Sequence, residues 1–267
     1  MKILKLLLIL VLAAVTGLYC FSTVSLQLDG SGIGPTLSCE TDHLDISVAD
    51  GESVLLQGIT ASDKQDGDLT SHILISGISK MVENTARVTY VVFDSDHNMA
   101  TLTRTIGYTD YVSPRFQILE PLNYANNDPI ALLDRLKVED VIDGDITGDV
   151  RISYLNSTDQ RDMYTIDLQV TNSMGDTARI TVPLICRDEP QKGQILLDTY
   201  LLYLEQGETF RPRNHISTVT AGYAENPAEA VKITGSVDTG TPGTYYVFYT
   251  YTQDGYDLKT ALTVVVV

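Results

Sequence analysis

Between residues 164 and 170 the chain alternates, with Tyr164, Ile166, Leu168 and Val170 interleaved by Thr165, Asp167 and Gln169. Side chains of a strand change face at every residue, so this pattern predicts a half-buried β-strand. Asn172, Ser173, Gly175 and Asp176 follow, residue types that tolerate turn dihedrals, and residues 178–182 return as the partner strand of a hairpin. The same device is written earlier, where Val88 to Phe93 runs into Asp94-Ser95-Asp96-His97-Asn98 and out again through Met99 and Ala100. It is written once more near the end: Tyr245, Val247, Tyr249 and Tyr251 share one face, residues 253–257 turn, and residues 258–267 close the hairpin. No stretch after residue 25 keeps a helical period, and residues 130–140 are assigned a short turn at most. The pattern predicts an all-β protein.

A second signal is a repeat. Residues 63–70 read Asp-Lys-Gln-Asp-Gly-Asp-Leu-Thr, and 77 residues on, residues 140–147 read Asp-Val-Ile-Asp-Gly-Asp-Ile-Thr. That period is too long for a solenoid and suits one small β-sandwich. A third, divergent copy carries Gly207-Glu208-Thr209 against Gly51-Glu52-Ser53, and Val237-Asp238-Thr239-Gly240-Thr241-Pro242-Gly243-Thr244-Tyr245 leads into its alternation. The Asp-Gly-Asp phrase is missing there, and Arg211-Pro212-Arg213-Asn214-His215-Ile216-Ser217 is taken to stand in its position.

These phrases resemble the bacterial immunoglobulin-like repeat of Gram-positive surface proteins, also found in an insecticidal crystal protein. The pattern of that repeat runs Asp-x-x-Asp-Gly-Asp-Leu-Thr, then Gly-x-Val-Asp-Thr-x-x-Pro-Gly-Thr-Tyr, then Asp-x-x-Gly-Asn-x-Ala. The first copy has His97-Asn98 where the family has Gly-Asn, and the second has Gly175-Asp176. The resemblance covers about residues 37–267 and implies Ig-like β-sandwiches, which serve as spacers and as binding modules alike. The expected architecture is three tandem Ig-like domains, 37–110, 111–188 and an aromatic-rich 189–267, behind an N-terminal hydrophobic anchor helix.

The anchor is read from Lys2 and Lys5 and the apolar run 6–21 that follows them. A basic flank before such a run is an export signal whose positive end stays inside. Sixteen residues fall short of the roughly 20 that cross a bilayer, but Ile3, Leu4 and a snorkelling Lys5 extend the span. Leu18, Tyr19 and Phe21 offer no small-x-small cleavage site, so residues 1–23 are expected to remain as the anchor of a single-pass bacterial membrane protein with its C-terminus outside. Secretion after cleavage is the alternative. Tyr19 is too large to precede a lipidated Cys20. Residues 24–36, with Gly30, Gly32 and Gly34, read as a flexible linker, since no strand precedes and no helix follows to make them a phosphate loop.

Composition narrows the partners. There are 35 acidic against 18 basic residues, net −17, so the chain repels polyphosphates and no nucleic-acid partner is expected. Cys39 and Cys186 fall in different domains and are expected to be free and largely buried. His43, His72, His97 and His215 are scattered, and neither a Gly-x-Ser-x-Gly turn nor a phosphate loop occurs. A non-enzymatic protein is expected, with a carboxylate-pair hydrolase as the remote alternative.

Two features carry candidate chemistry. Asp63, Asp66 and Asp68, and Asp140, Asp143 and Asp145, each place three carboxylates around a glycine, which suits either a Ca²⁺ ion or the capping of loop N–H groups. Asp94-Ser95-Asp96 and Asn126-Asn127-Asp128 are candidates to complete such cation sites. Tyr246 and Phe248 lie opposite the predicted core face, so they are expected to point outward and to stack on a glycan or bind a protein. The function expected is surface adhesion or ligand binding, through the third domain; a stalk or envelope-assembly partner without a ligand is the alternative.

Overall fold

The computed structural model describes residues 34–125, 131–158, 162–221, 227–253 and 255–267, with backbone only at 154 and 155. The expected anchor, the linker before residue 34 and the Asn126–Asp128 turn lie outside these residues. Among the described residues no helix is long and apolar enough to cross a membrane. The chain divides into two compact units, one ending at Thr109 and one running from Asp110 to Val267.

The first unit is built from β1 (Thr36–Cys39), β2 (His43–Ile46), a single helical turn α1 (Glu52–Leu55), β3 (Ile59–Asp63), β4 (Gly67–Asp68), β5 (Leu74–Ile78), β6 (Thr85–Phe93) and β7 (Met99–Tyr108). One sheet has the order β1-β3-β4 and the other β2-β7-β6-β5. The opening segment therefore serves both sheets: β1 pairs antiparallel with β3, and β2 then crosses to run parallel with β7. The alternation of β6 is realised as expected, with Val88, Tyr90 and Val92 fully buried between the sheets. Tyr90 meets the cost of burying a hydroxyl by donating to the Leu55 carbonyl at 2.6 Å, which ties the sheet to the end of α1.

The second unit repeats this order twice. Its first set is β8 (Arg115–Ile118), β9 (Asn123–Ala125), β10 (Leu136–Asp140), β11 (Gly144–Asp145), β12 (Arg151–Ser157), β13 (Met163–Thr171) and β14 (Thr177–Arg187). Its second is β15 (Gln194–Leu197), β16 (Leu201–Leu204), β17 (Ile216–Thr220), β18 (Lys232–Thr234), β19 (Gly243–Tyr251) and β20 (Leu258–Val266). The sheets are β8-β10-β11 with β12-β13-β14-β9, and β15-β17 with β18-β19-β20-β16. In each set the early strand again runs parallel to the last one, β9 with β14 and β16 with β20. Residues 133–135 form only one 3-10 turn, as the weak helical pattern there implied.

The boundary expected at 188/189 falls inside this unit, whose apolar core is continuous from Phe116 to Val264. Polar contacts tie its two halves together. Asn123 donates its side-chain amide to the Lys259 carbonyl at 2.9 Å, and the Phe116 N–H reaches the Tyr203 hydroxyl at 3.3 Å. Arg187 donates to the Asp257 carbonyl and pairs with the carboxylates of Asp162 and Asp257.

Arg211–Ser217 does not occupy the place of the acidic phrase. Residues 212–215 form a 3-10 turn ahead of β17, where the first unit has α1 ahead of β3. Tyr249 seals this turn by donating to the Pro212 carbonyl at 2.8 Å, as Tyr90 seals α1. The position that corresponds to the acidic phrase comes after β17, and residues 222–226 there lie outside the described residues.

Candidate functional site

The acidic phrases sit directly after β3 and β10 and are built alike. The Asp63 carboxylate accepts the backbone N–H groups of Gln65 (2.6 Å) and Asp66 (3.0 Å), and these bonds, that of Asp66 foremost, hold it below the usual carboxylate range. Asp140 accepts the N–H groups of Ile142 and Asp143, both at 2.9 Å. The tight turn needs a left-handed residue, supplied by Gly67 (φ 77°) and Gly144 (φ 73°).

The middle carboxylate of each phrase bridges the sandwich. Ser95, in the β6–β7 hairpin, donates its N–H (2.7 Å) and its hydroxyl (2.8 Å) to the two oxygens of Asp66. Ser173, in the β13–β14 hairpin, makes the same pair of bonds to Asp143 at 2.6 and 2.7 Å. Since β3 and β6 belong to different sheets, and so do β10 and β13, each Asp–Ser pair fastens one sheet to the other.

The third carboxylate turns the chain into the next segment. Asp68 accepts the Thr70 N–H at 2.9 Å, and Asp145 accepts the Thr147 N–H at 3.0 Å and its hydroxyl at 2.6 Å. The threonine hydroxyl, followed by its N–H, holds both acids below the usual carboxylate range. Each threonine in turn accepts a strand N–H, Thr70 from Ala61 and Thr147 from Val138.

The second unit adds a buried polar cluster to this frame. Asp140 and Asn172 are each only 5% exposed. The Asn172 amide donates to Asp140 (3.1 Å) and to the Tyr111 hydroxyl (2.9 Å), and Tyr111 donates to Asp176 at 2.7 Å. Burial works to raise the Asp176 carboxyl, but hydrogen bonds from Ser113, Tyr111 and the Thr177 N–H outweigh it and hold the group low. Burial and the neighbouring Asp176 push the Tyr111 phenol up. In the first unit the matching hairpin reverses the residue types: Asp94 accepts the N–H (2.7 Å) and amide (2.8 Å) of Asn98. His97 takes the left-handed position there (φ 66°) that Gly175 takes in the second unit (φ 86°).

The proposed cation ligands are thus brought to one loop per copy, with donors on both oxygens of Asp66, Asp140 and Asp143 and on one oxygen of Asp63, Asp68 and Asp145. Among the described residues no group of three or more His, Cys, Asp or Glu is placed to hold a metal ion. Of the turns proposed to complete such sites, Asp94-Ser95-Asp96 contributes Ser95, as a donor. Beside the second phrase lies an open groove of about 850 Å³, lined by Asp143, Asp145, Asp149, Arg151 and Gln169 among others.

The aromatic pair differs from its expected exposure. Tyr246 and Phe248 do lie opposite the buried Val247 and Tyr249, but both are half-buried. Tyr246 donates to the Thr181 carbonyl of β14 at 3.0 Å, and Lys259 stands 5.8 Å over the Phe248 ring. Tyr246 thus reaches a strand of the neighbouring sheet in the same unit, whereas Phe248 is met by Lys259 of the adjacent strand of its own sheet. Cys39 and Cys186 are half-buried rather than largely buried, and the Cys39 thiol donates to the Thr41 carbonyl at 2.7 Å. His43 pairs with Asp45 and His215 with Asp198, each at 2.9 Å.

The sequence places the Asp94-Ser95-Asp96 turn beside the first acidic phrase but does not reveal Ser173, Asn172 and Tyr111 as partners of the second. The serine shared after Asp94 and after Asn172 is the available signal, since it recurs in the matching hairpin of both copies.

Residues 198–266 match the family model of the bacterial surface protein, Ig-like domain, so the resemblance drawn from the sequence holds for that segment. No curated protein matches the chain. Among solved structures, CBM51-2 in complex with GlcNAc and INT domains from Clostridium perfringens ZmpB is similar at 21% identity and a TM-score of 0.24, over 55% of this chain and 26% of that one. Human CDH23 EC21-23 is similar at 13% identity and a TM-score of 0.20, over 84% of this chain and 97% of that one. The Protocadherin GammaB4 extracellular domain is similar at 14% identity and a TM-score of 0.20, over 88% and 49%. The chain spans about a quarter to two fifths of the three ZmpB structures it matches.

Proposed function

We propose that the chain is a non-enzymatic, surface-displayed Ig-like protein of adhesion type, in which the second unit acts as one stiff presenting body. The family match of residues 198–266 to a bacterial surface domain supports the surface location. The observation that carries it is on the aromatic face of β19, where the half-buried Tyr246 spends its hydroxyl on the Thr181 carbonyl of β14 within the same unit. The acidic phrases act in it as fasteners between sheets, a role supported by the matched Asp66–Ser95 and Asp143–Ser173 pairs. The non-enzymatic part of the reading is supported by the two histidine–aspartate pairs, His43–Asp45 and His215–Asp198, whose carboxylates are well exposed and which, among the described residues, carry no bonded nucleophile.

Calorimetry of the Tyr246→Ala protein tests this. A presenting body loses stability and cooperativity across residues 110–267, seen as a lower or split transition. If the aromatic face instead binds a surface glycan or protein directly, the melt stays in place.

A further inference from the structure

The outward face of the β2-β7-β6-β5 sheet in the first unit carries an apolar patch. Leu74 pairs across the strands with Val91, and Phe93 pairs with Met99. Directly opposed residues share a face, so these four side chains adjoin one another. Leu74 and Met99 are each 58% exposed and Phe93 48%, although apolar residues on an outer sheet face are normally single.

The second unit shows that the fold does not require them. Its equivalent positions are Arg151, Gln169, Thr171 and Thr177, set in the same cross-strand pairs. In β19 the same outward side carries Tyr246 and Phe248, and Tyr246 there donates to the Thr181 carbonyl of a neighbouring sheet.

Charge says what covers it here. The hairpin joining Phe93 to Met99 carries Asp94 and Asp96, and Asp66 and Asp68 stand at the same end of the sandwich through the Asp66–Ser95 pair, with Lys64 the cation in that loop. A second copy, itself at net −17, meets this end with like charge. A partner adding a strand to β5 meets a register shift between Ile75 and Gly77 that interrupts the edge ladder. We propose that this face docks a cationic polypeptide with apolar side chains, which lie across Phe93 and Met99 while its basic groups meet the acidic hairpin end.

The test uses the full chain and a labelled ten-residue peptide of alternating Lys and Leu, with Lys–Ser and Glu–Leu peptides as controls. The native chain is expected to bind the Lys–Leu peptide more tightly than either control and to lose affinity in high salt. Phe93→Thr and Met99→Thr, which install the residues found at 171 and 177, are expected to weaken binding by about tenfold or more each at an unchanged melting midpoint. Equal affinity of the native and doubly substituted chains overturns the proposal, as does equal binding of the Glu–Leu peptide. Sedimentation showing a dimer that Phe93→Thr dissolves also overturns it, by assigning the face to a second copy.

Discussion

Replacing Asp140 by alanine removes the most buried member of the acidic phrases. Its carboxylate accepts N–H groups from Ile142 and Asp143 and the side-chain amide of Asn172, at 2.9, 2.9 and 3.1 Å. Alanine leaves those three donors without an acceptor in a place that is 5% exposed. At roughly 1 kcal/mol per stranded donor, after the relief of a buried charge is taken into account, the loss is about 3 kcal/mol. For a body the size of the second unit that lowers the melting midpoint by about 6–12 °C. Asp140→Asn keeps an oxygen for the two backbone donors but sets an amide N–H₂ against that of Asn172. Asn172 cannot turn over freely, because its own oxygen accepts the Asp176 N–H at 2.9 Å. The asparagine variant therefore falls between native and alanine, with a loss of about 1–2 kcal/mol. Calorimetry of the full chain reads this directly, since the first unit contains neither Asp140 nor its partners and its transition stays fixed. An alanine variant whose second-unit midpoint lies within a degree of native refutes the reasoning.

Other outcomes follow from the same structure. Asp63, Asp68 and Asp145 have folded values below the ordinary 3.8, so the stability they contribute is present above that value and is lost as pH falls through their folded values. The midpoint is expected to be flat from pH 7 to about 5 and to fall below about 4, with a shallower fall in the Asp68→Asn, Asp145→Asn double variant. Tyr90→Phe strands the buried Leu55 carbonyl and is expected to cost the first unit about 1–2 kcal/mol, read by urea melts, while Tyr249→Phe costs the second unit a similar amount at Pro212. Tyr246→Phe removes only the bond to Thr181 and is expected to lower the second transition by about 1 kcal/mol without splitting it.

The strands were legible because their pattern is local. The alternation in 164–170 and 245–251 and the glycine of each acidic phrase fix face and turn without reference to distant residues. Asp66 and Ser95 were not legible as a pair, since 29 residues separate them and only the closing of the two sheets brings them together. The same limit hid the cover over Tyr246, whose partner Thr181 lies 65 residues away. The Arg211–Ser217 segment was misplaced for a different reason. The divergent copy has no acidic phrase to set its register, and the helical turn with Pro212 at its start marks the entry to β17 rather than the exit. The half-exposure of the two cysteines follows from their places on strands at sheet edges or ends, which composition does not reveal.

The repeated acidic phrases fasten sheet to sheet through serine, Asp66 to Ser95 and Asp143 to Ser173. Thermal melts of the full chain in EDTA and in excess calcium, for the native protein and for Asp66→Ala with Asp143→Ala, test it most directly. Native midpoints are expected to be the same in EDTA and in calcium, and to be lowered in the double variant under both conditions. A calcium-dependent rise of several degrees in the native protein, absent from the double variant, would contradict it.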